Sequence, residues 1–221
     1  MITVNNLTKT YGKFNALRNI SLEINDGEFV AIIGESGSGK STLLNIIGQI
    51  DFPSSGEIIV DGENTVGLDD KETAKLRNST FGFVFQAFYL EPTYTVYRNV
   101  EIPLILKGMK RKDRKQRIEE VLNSVDMQDK LKNKASNLSG GEMQRVAIAR
   151  AIANNPPIII ADEPCGNLDT KNGDVVMRLL RDLHEQGKTI LMVTHSYEHS
   201  KWADRVIKLC DGKIVSDEKN N

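Results

Sequence analysis

The apolar positions along the chain predict short buried strands alternating with amphipathic helices. Ile20, Leu22 and Ile24 alternate with polar residues, as in a strand with one buried face. The continuous apolar runs at 29–33 and 158–161 are typical of strands that are buried on both faces of a parallel sheet. This mixture of patterns predicts an α/β fold with a mainly parallel sheet.

The middle of the chain has a different pattern, without strand signals from residue 87 to residue 153. Apolar residues recur there at helical spacing, at Ile118, Val121, Leu122 and Val125. We therefore expect a mostly helical subdomain at 87–153, inserted between α/β segments at 1–86 and 154–221. The polar end of the chain, 216–221, is expected to fray.

A glycine-rich stretch, 34–42, lies between the apolar run 29–33 and a second apolar segment of helical character. It matches the phosphate-binding pattern G-x-x-x-x-G-K-[ST] in the strand–loop–helix context that this pattern requires. Glycines let successive N–H groups point at one anion, a lysine can reach the terminal phosphates, and a serine hydroxyl can hold Mg²⁺. The predicted nucleoside triphosphate contacts are Gly34, Ser36, Gly37, Ser38, Gly39, Lys40, Ser41 and Thr42.

Polar side chains stand at the ends of three further apolar runs. These side chains are Gln86, Asp162 with Glu163, and His195. Each would be an ordinary exposed strand end if it stood alone. If the strands are parallel, however, their carboxyl ends share the sheet edge where α/β folds bind ligands. This convergence predicts that His195 contacts the terminal phosphate.

Asp162 and Glu163 are adjacent carboxylates beside a buried strand, an arrangement that is costly without a cation. A Mg²⁺ ion held between Asp162, the Ser41 hydroxyl and phosphate oxygens would offset that cost. Glu163 would then be available to orient or deprotonate an attacking water.

The stretch Leu138-Ser139-Gly140-Gly141-Glu142 has a structural and a functional interpretation. Ser139 and Glu142 have the spacing of a capping box, which by itself accounts for a helix start there. Glycines are poor helix formers, and a pair of them in a first helical turn also suits close approach of a phosphate to backbone N–H groups.

Tyr11 lies in a polar stretch just before Gly12. A tyrosine in such a position is either a packing residue or, in a nucleotide-binding protein, a platform on which the adenine ring stacks. The local sequence leaves both interpretations open.

The chain has 221 residues and a formal net charge of −1, so it has no global field that would hold nucleic acid. Residues 107–117 nevertheless contain seven basic side chains and one acid, Asp113. This segment is either a solvated helix face or a contact with a partner or lipid headgroups. Nucleic acid is disfavoured, because no aromatic residues are interleaved for stacking.

Cys165 and Cys210 form neither a metal pattern nor a disulfide framework, which fits a reducing cytosol. No secretory signal is visible at the N-terminus, and no apolar run approaches the roughly 18 residues that span a bilayer. A membrane function would therefore require a separate membrane polypeptide.

The motifs, in this order, resemble those of the ATP-binding subunits of ABC transporters over essentially the whole chain. The loop 34–42 is similar to the Walker A motif, 138–145 to the LSGGE signature motif, and 158–162 to the Walker B motif. The resemblance implies an ABC ATPase fold, with a P-loop core, an N-terminal antiparallel β subdomain and a helical subdomain that carries the signature.

The resemblance also implies roles for single residues. Gln86 would be the Q-loop residue and a Mg²⁺ ligand, Glu163 the catalytic carboxylate, and His195 the switch histidine. Tyr11 would stack on adenine. Two copies would pair head to tail around ATP, with the signature of one copy on the nucleotide of the other; the residues involved would be Ser139, Gly140, Gly141, Glu142 and the D-loop residue Asp169.

A finer similarity is to the MacB- and LolD-like exporter and lipoprotein-release group, at 44–48, 54–57, 83–88 and 99–104. It implies an ATPase at the cytoplasmic face of the cell membrane that drives a four-helix permease with a large extracytoplasmic domain. The cargo would be hydrophobic, peptide-like or antimicrobial compounds. An uptake importer is the alternative within transport. A soluble ABC ATPase acting on DNA or ribosomes is disfavoured, since it usually carries a coiled-coil insertion or a second ATPase domain.

Four positions depart from the pattern of that group. Cys165 replaces the usual Thr or Ser, and Ser196 stands where an acid is common after the histidine. Glu91 and Tyr94 replace apolar residues after Gln86, in the segment that the resemblance places against the permease. None of these changes removes a predicted catalytic group.

Overall fold

The computed structural model describes residues 1–220, in which strands and helices alternate as the apolar pattern predicts. The strands are β1 (Ile2–Tyr11), β2 (Phe14–Ile24), β3 (Phe29–Ile33), β4 (Ser55–Val60), β5 (Glu63–Asn64), β6 (Phe81–Phe85), β7 (Ile158–Asp162), β8 (Thr189–Thr194), β9 (Arg205–Cys210) and β10 (Lys213–Lys219). The helices are α1 (Lys40–Ile47), α2 (Asp70–Thr80), α3 (Val96–Leu106), α4 (Arg111–Asn123), α5 (Gly140–Ile152), α6 (Thr170–Glu185) and α7 (Tyr197–Ser200). Within residues 1–220, no helix is long and apolar enough to cross a membrane. The predicted α/β class, with its N-terminal antiparallel sheet and inserted helices, is confirmed.

One compact unit consists of Met1–Arg77 together with the chain from His184 onward. Its first sheet is antiparallel, in the order β2-β1-β4-β5. In its second sheet, β3 pairs in parallel with β8 on one side and with β9 on the other, and β10 pairs antiparallel with β9. Four of the five residues of β3 and all six of β8 are buried, as their continuous apolar sequence predicts.

The expectation that residues 216–221 fray is wrong for 216–219, which belong to β10. The cause is an ion pair between neighbouring strands, in which Arg205 donates to both carboxylate oxygens of Asp217 at 2.6 Å. The Asn220 N–H also donates to the carbonyl of Asp204 at 2.7 Å. The last residue of the predicted frayed segment, Asn221, lies outside the described residues.

The other compact unit is Asn78–Leu183. Its strands β6 and β7 pair in parallel, which brings Phe85 opposite Asp162 at their carboxyl ends. Helix α5 packs against β6 and against α3 and α4. The contact with β6 depends on Gly82, because a Cβ atom there would lie 2.4 Å from the carbonyl oxygen of Ala151.

Two basic side chains of the segment 107–117 make hydrogen bonds within this unit. Arg117 donates to the carbonyl oxygens of Ile152 and Ala153, at 2.9 Å each, and Lys107 donates to the carbonyl of Asn154 at 3.1 Å. The carbonyls of Ile152 and Ala153 lie at the C-terminus of α5, and that of Asn154 follows directly; none has a partner within that helix. Lys107 and Arg117 therefore cap α5, while Lys110, Arg111, Lys112 and Lys115 are exposed.

We expect Arg117→Ala to lower the free energy of unfolding by about 1–3 kcal/mol, because two carbonyls lose a charged hydrogen-bond donor. Urea denaturation monitored by circular dichroism measures the change. Lys112→Ala, an exposed change in the same helix, is the control and should stay within about 0.5 kcal/mol of the wild type. Equal midpoints for the two variants would show that Arg117 does not stabilise α5.

Candidate nucleotide-binding site

The predicted phosphate loop turns sharply between β3 and α1, and two of its glycines, Gly34 and Gly39, cannot be replaced without clashes. A Cβ atom at Gly34 would lie 2.2 Å from the carbonyl oxygen of Leu209. Gly39 has a φ of 102°, and a Cβ atom there would lie 2.6 Å from the carbonyl oxygen of Ala16. The glycines of the pattern therefore serve both the backbone conformation and close packing of the loop.

The N-terminus of α1 has the properties of an anion site. Gly39 is its N-cap and offers no side chain, and the first turn contains no acidic residue. The Ser38 hydroxyl oxygen is buried and has no hydrogen-bond partner within residues 1–220. A helix N-terminus without a side-chain cap and an unsatisfied buried hydroxyl fit the oxygens of a phosphate group.

Lys40, at the start of α1, is only 8% exposed and folds back onto the loop. Its ammonium group donates to the carbonyls of Gly34 and Glu35, at 2.9 and 2.8 Å. This geometry holds the positive charge inside the curve of the loop, where Coulomb attraction to a phosphate is least weakened by water.

The described residues suit a Mg²⁺ ion that arrives with phosphate. No cluster of three or more His, Cys, Asp or Glu residues able to hold a metal is present in residues 1–220. Mg²⁺ keeps an octahedral shell of oxygens, and phosphate groups usually supply part of it. The oxygen donors Ser41, Gln86 and Asp162 are of the type that such an ion takes.

His195 directly follows β8 and is exposed. The turn after it is fixed by Ser196, whose N–H donates to the Thr194 hydroxyl at 3.0 Å and whose hydroxyl accepts from the N–H of His199 at 3.3 Å. Ser196 is thus the N-cap of α7. Serine and aspartate are both good N-caps, so the departure from the acid common at this position keeps the structural role.

In the unit 78–183, Gln86 and Asn167 form a reciprocal pair. The Gln86 amide donates to the Asn167 side-chain oxygen at 3.2 Å, and the Asn167 amide donates to the Gln86 carbonyl at 2.9 Å. Gly166 makes room for this pair, since a Cβ atom there would lie 2.7 Å from the Gln86 amide nitrogen. The predicted Q-loop and D-loop segments are therefore in direct contact.

Glu163 has a left-handed backbone, with a φ of 47°. Such a conformation costs of order 1 kcal/mol for a residue other than glycine. The Glu163 carbonyl accepts from the Gly166 N–H at 3.0 Å, which closes the turn after β7. No sequence pattern would have revealed this strained backbone.

Gln144 is a positioning residue that the sequence interpretation missed. It is fully buried on α5, and its amide donates to the carbonyls of Phe85 and Pro164, at 3.3 and 2.6 Å. These two hydrogen bonds link the segment at the end of β6 to the segment that follows β7. The available signal was a polar residue on the same helix face as apolar residues at 147 and 148.

The predicted capping box at the start of α5 is present. The Ser139 hydroxyl accepts from the Glu142 N–H at 3.4 Å, and the Glu142 carboxylate accepts from the Ser139 N–H at 2.9 Å. The hydrogen bond from the Ser139 N–H is the main reason that the pKa of Glu142 is lowered. Lys130, 3.2 Å from the Glu142 carboxylate, contributes to the same shift.

The two signature glycines have different surroundings. A Cβ atom at Gly141 would lie 2.2 Å from the side-chain oxygen of Asn172, which Asp169 holds through two hydrogen bonds of 2.8 Å. At Gly140 the nearest atom would be 3.6 Å away, an ordinary contact distance. Internal packing therefore accounts for Gly141, whereas it does not by itself require a glycine at position 140.

Cys165 is a buried packing residue. Its sulfur lies 3.6 Å from the Gly173 carbonyl, and burial raises the pKa of the thiol to about 12. The thiol is therefore protonated at neutral pH and unreactive, and it offers a weak hydrogen-bond donor in place of the usual hydroxyl.

A glycine loop between a buried parallel strand and an uncapped helix N-terminus defines a P-loop nucleoside triphosphatase fold. The chain belongs to the ABC transporter family, whose sequence model matches residues 17–166. It is an ABC ATPase domain, with its signature motif at the start of α5.

Two relatives, one of them with a solved structure, illustrate the similarity. The chain is 49% identical to an uncharacterized ABC transporter ATP-binding protein, MJ0796, of Methanocaldococcus jannaschii, over 99% of this chain and 97% of that protein. A solved dimeric, post-hydrolysis structure of MJ0796 bound to ADP and Pi superimposes with a TM-score of 0.92 at 47% identity, covering 100% of this chain and 99% of the other. The macrolide export ATP-binding/permease protein MacB of Brucella melitensis is 47% identical over 98% of this chain, which spans 34% of MacB.

Proposed function

We propose that this chain hydrolyses ATP to power a separate membrane permease of the MacB/LolD type. The observation that carries the ATP part is the uncapped N-terminus of α1, beside the unsatisfied Ser38 hydroxyl and the loop-bound Lys40. Membership of the ABC transporter family supports the coupling to transport.

The proposed chemistry divides among a few side chains. Lys40 and the N–H groups of the loop bind the β- and γ-phosphates, and Ser41, Gln86 and Asp162 are the residues that would hold Mg²⁺. When bound, Mg²⁺ would supply positive charge beside the phosphate oxygens. Glu163 orients or deprotonates the attacking water, and His195 contacts the γ-phosphate.

The active form in this proposal is a head-to-tail dimer with two ATP molecules between the subunits. Ser139 is exposed and Gly140 is partly exposed, so the start of α5 can accept a phosphate from outside its own chain. The dimeric structure of MJ0796 with ADP and Pi supports a homodimer. ATP favours the closed dimer and hydrolysis releases it, which provides the motion that a permease can use.

A cationic cleft in the unit 78–183 is the proposed contact with the permease. It has a volume of about 550 Å³ and is lined by Tyr97, Arg98, Glu101, Arg111, Arg114, Lys115, Glu119 and Leu131. Glu101 is already paired with Arg98 at 2.7 Å and with Arg114 at 3.0 Å. Basic groups outnumber acids in the lining, so the cleft favours a cytoplasmic segment of the permease that carries carboxylates.

The similarity to MacB favours export or extraction of hydrophobic, peptide-like or antimicrobial compounds. In that case the permease has four membrane-spanning helices and a large extracytoplasmic domain. The ATPase is then held at the cytoplasmic face of the cell membrane through its permease.

We expect Glu163→Gln to bind ATP with the wild-type affinity but to turn it over at least 100-fold more slowly, because general base catalysis contributes roughly 10²–10⁴-fold. The variant should accumulate as an ATP-dependent dimer in size-exclusion chromatography. Glu218→Gln, a change at an exposed position on β10, is the control and should behave like the wild type. Wild-type turnover by Glu163→Gln would exclude this residue as the catalytic carboxylate.

We expect the double variant Arg111→Glu/Lys115→Glu to lose its permease because the charge of the cleft is reversed. The measurement is co-purification of a four-helix permease with the tagged chain from its native membranes, together with the ATPase rate of the soluble chain, which should stay within about twofold. The control is Lys71→Glu/Lys75→Glu on α2, a charge reversal of equal size at exposed positions. Equal recovery with both double variants would exclude the cleft, and recovery of no permease by the wild type would exclude the permease proposal.

A further inference from the structure

The side chain of Tyr11, at the end of β1, is the centre of a polar network. Its hydroxyl donates to one carboxylate oxygen of Asp51. The other oxygen of Asp51 accepts from the Lys9 ammonium at 2.7 Å and from the Phe52 N–H at 2.7 Å. Lys9 also donates to the Phe52 carbonyl at 2.6 Å. Both oxygens of Asp51 are thus used, which fixes the carboxylate in one orientation.

Protonation states favour this network at neutral pH. Burial acts to raise the pKa of Asp51, but hydrogen bonds from Lys9 and Tyr11 outweigh burial, so its pKa is lowered overall. Burial and the Asp51 carboxylate both raise the pKa of the Tyr11 phenol. Asp51 is therefore an anion that accepts, and Tyr11 is a neutral phenol that donates.

The two faces of the Tyr11 ring are not equivalent. The Lys9 ammonium lies over one face, 4.7 Å from the ring centroid, in a cation–π contact. The residue is nevertheless 49% exposed. A planar base can therefore stack on the face opposite Lys9, and the ammonium prevents it from stacking on the near face.

The network also joins the ring to the helix that begins at the phosphate loop. The backbone N–H of Asp51 donates to the carbonyl of Asn45, on α1, at 3.2 Å. The Thr42 side chain, in the first turn of the same helix, hydrogen-bonds the Tyr11 hydroxyl. The position of the aromatic ring relative to the N-terminus of α1 is thus set at two points.

We infer that Asp51 and Lys9 are positioning residues for the nucleobase. They hold the Tyr11 ring at one distance from the phosphate loop and leave one face of the ring open. The ring can then contact the base while the loop contacts the phosphates, and the ring does not have to move when ATP binds. Preorganisation of this kind increases affinity by removing the cost of ordering a side chain on binding. The inference rests on the proposed ATP binding and adds the residues that orient its base platform.

The test compares binding of ATP and of inorganic tripolyphosphate, which has no base, to the full chain in excess Mg²⁺. Stacking on an aromatic residue is worth about 1–3 kcal/mol per base, so Asp51→Asn should weaken ATP binding roughly tenfold. Tripolyphosphate binding should change less than about twofold. Tyr11→Phe, which keeps the ring but loses its anchor, should reproduce this selective loss.

Two further variants isolate the network. Asp51→Asn added to Tyr11→Leu should cause no further loss of ATP affinity, because the ring that Asp51 positions is gone. Asp61→Asn is the control, since that carboxylate also lies in the first unit but pairs with the N-terminal ammonium at 2.8 Å. It should leave both affinities unchanged.

The inference is overturned if Asp51→Asn weakens ATP and tripolyphosphate equally, since Asp51 would then support the loop rather than the base platform. It is also overturned if neither affinity changes, or if the losses in the double variant add. In each of these cases the wild-type chain still binds ATP, so the proposed function stands while this inference fails. A wild-type chain that binds neither probe would instead overturn the proposed function, and this inference with it.

Discussion

The constraint on which the proposed nucleotide site depends is the start of α1, where no side chain caps the helix. Four N–H groups of any α-helix begin without partners, and here the N-cap is Gly39, which has no side chain to satisfy them. Lys40 and the unsatisfied Ser38 hydroxyl lie beside them. Burial of β3 on both faces fixes the strand from which this loop emerges, so the fold presents a rigid anion site rather than a flexible turn.

Other elements place polar groups by the same means, a buried strand followed by a constrained turn. The turn after β7 carries Glu163 in a left-handed conformation, and the turn after β8 carries exposed His195, followed by a serine cap. Gln144 holds the ends of β6 and β7 through two carbonyls. These contacts orient the turns without themselves supplying chemistry.

The sequence predicts the glycine loop, the strand ends and the capping box because each is local: a few adjacent residues determine the backbone and its hydrogen bonds. Gln144, the pair Gln86–Asn167 and the network around Tyr11 escaped prediction because their partners are distant along the chain. The strand at 216–219 was missed for the same reason, as its stability comes from Arg205. The need for a glycine at position 141 was not predicted either, because it comes from close packing against Asn172, which is distant along the chain.

The central claim is that the loop of one copy and the signature of a second copy share one ATP. Cross-linking tests it directly in a Cys210→Ser, Glu163→Gln background, where buried Cys165, with a pKa of about 12, does not compete for the reagent. One chain carries Ser36→Cys and another carries Ser139→Cys, both at exposed positions, and a short bismaleimide is added. The account predicts a covalent dimer only when both chains and MgATP are present. Cross-linking that does not depend on ATP, or a link formed within one chain that carries both changes, would contradict it.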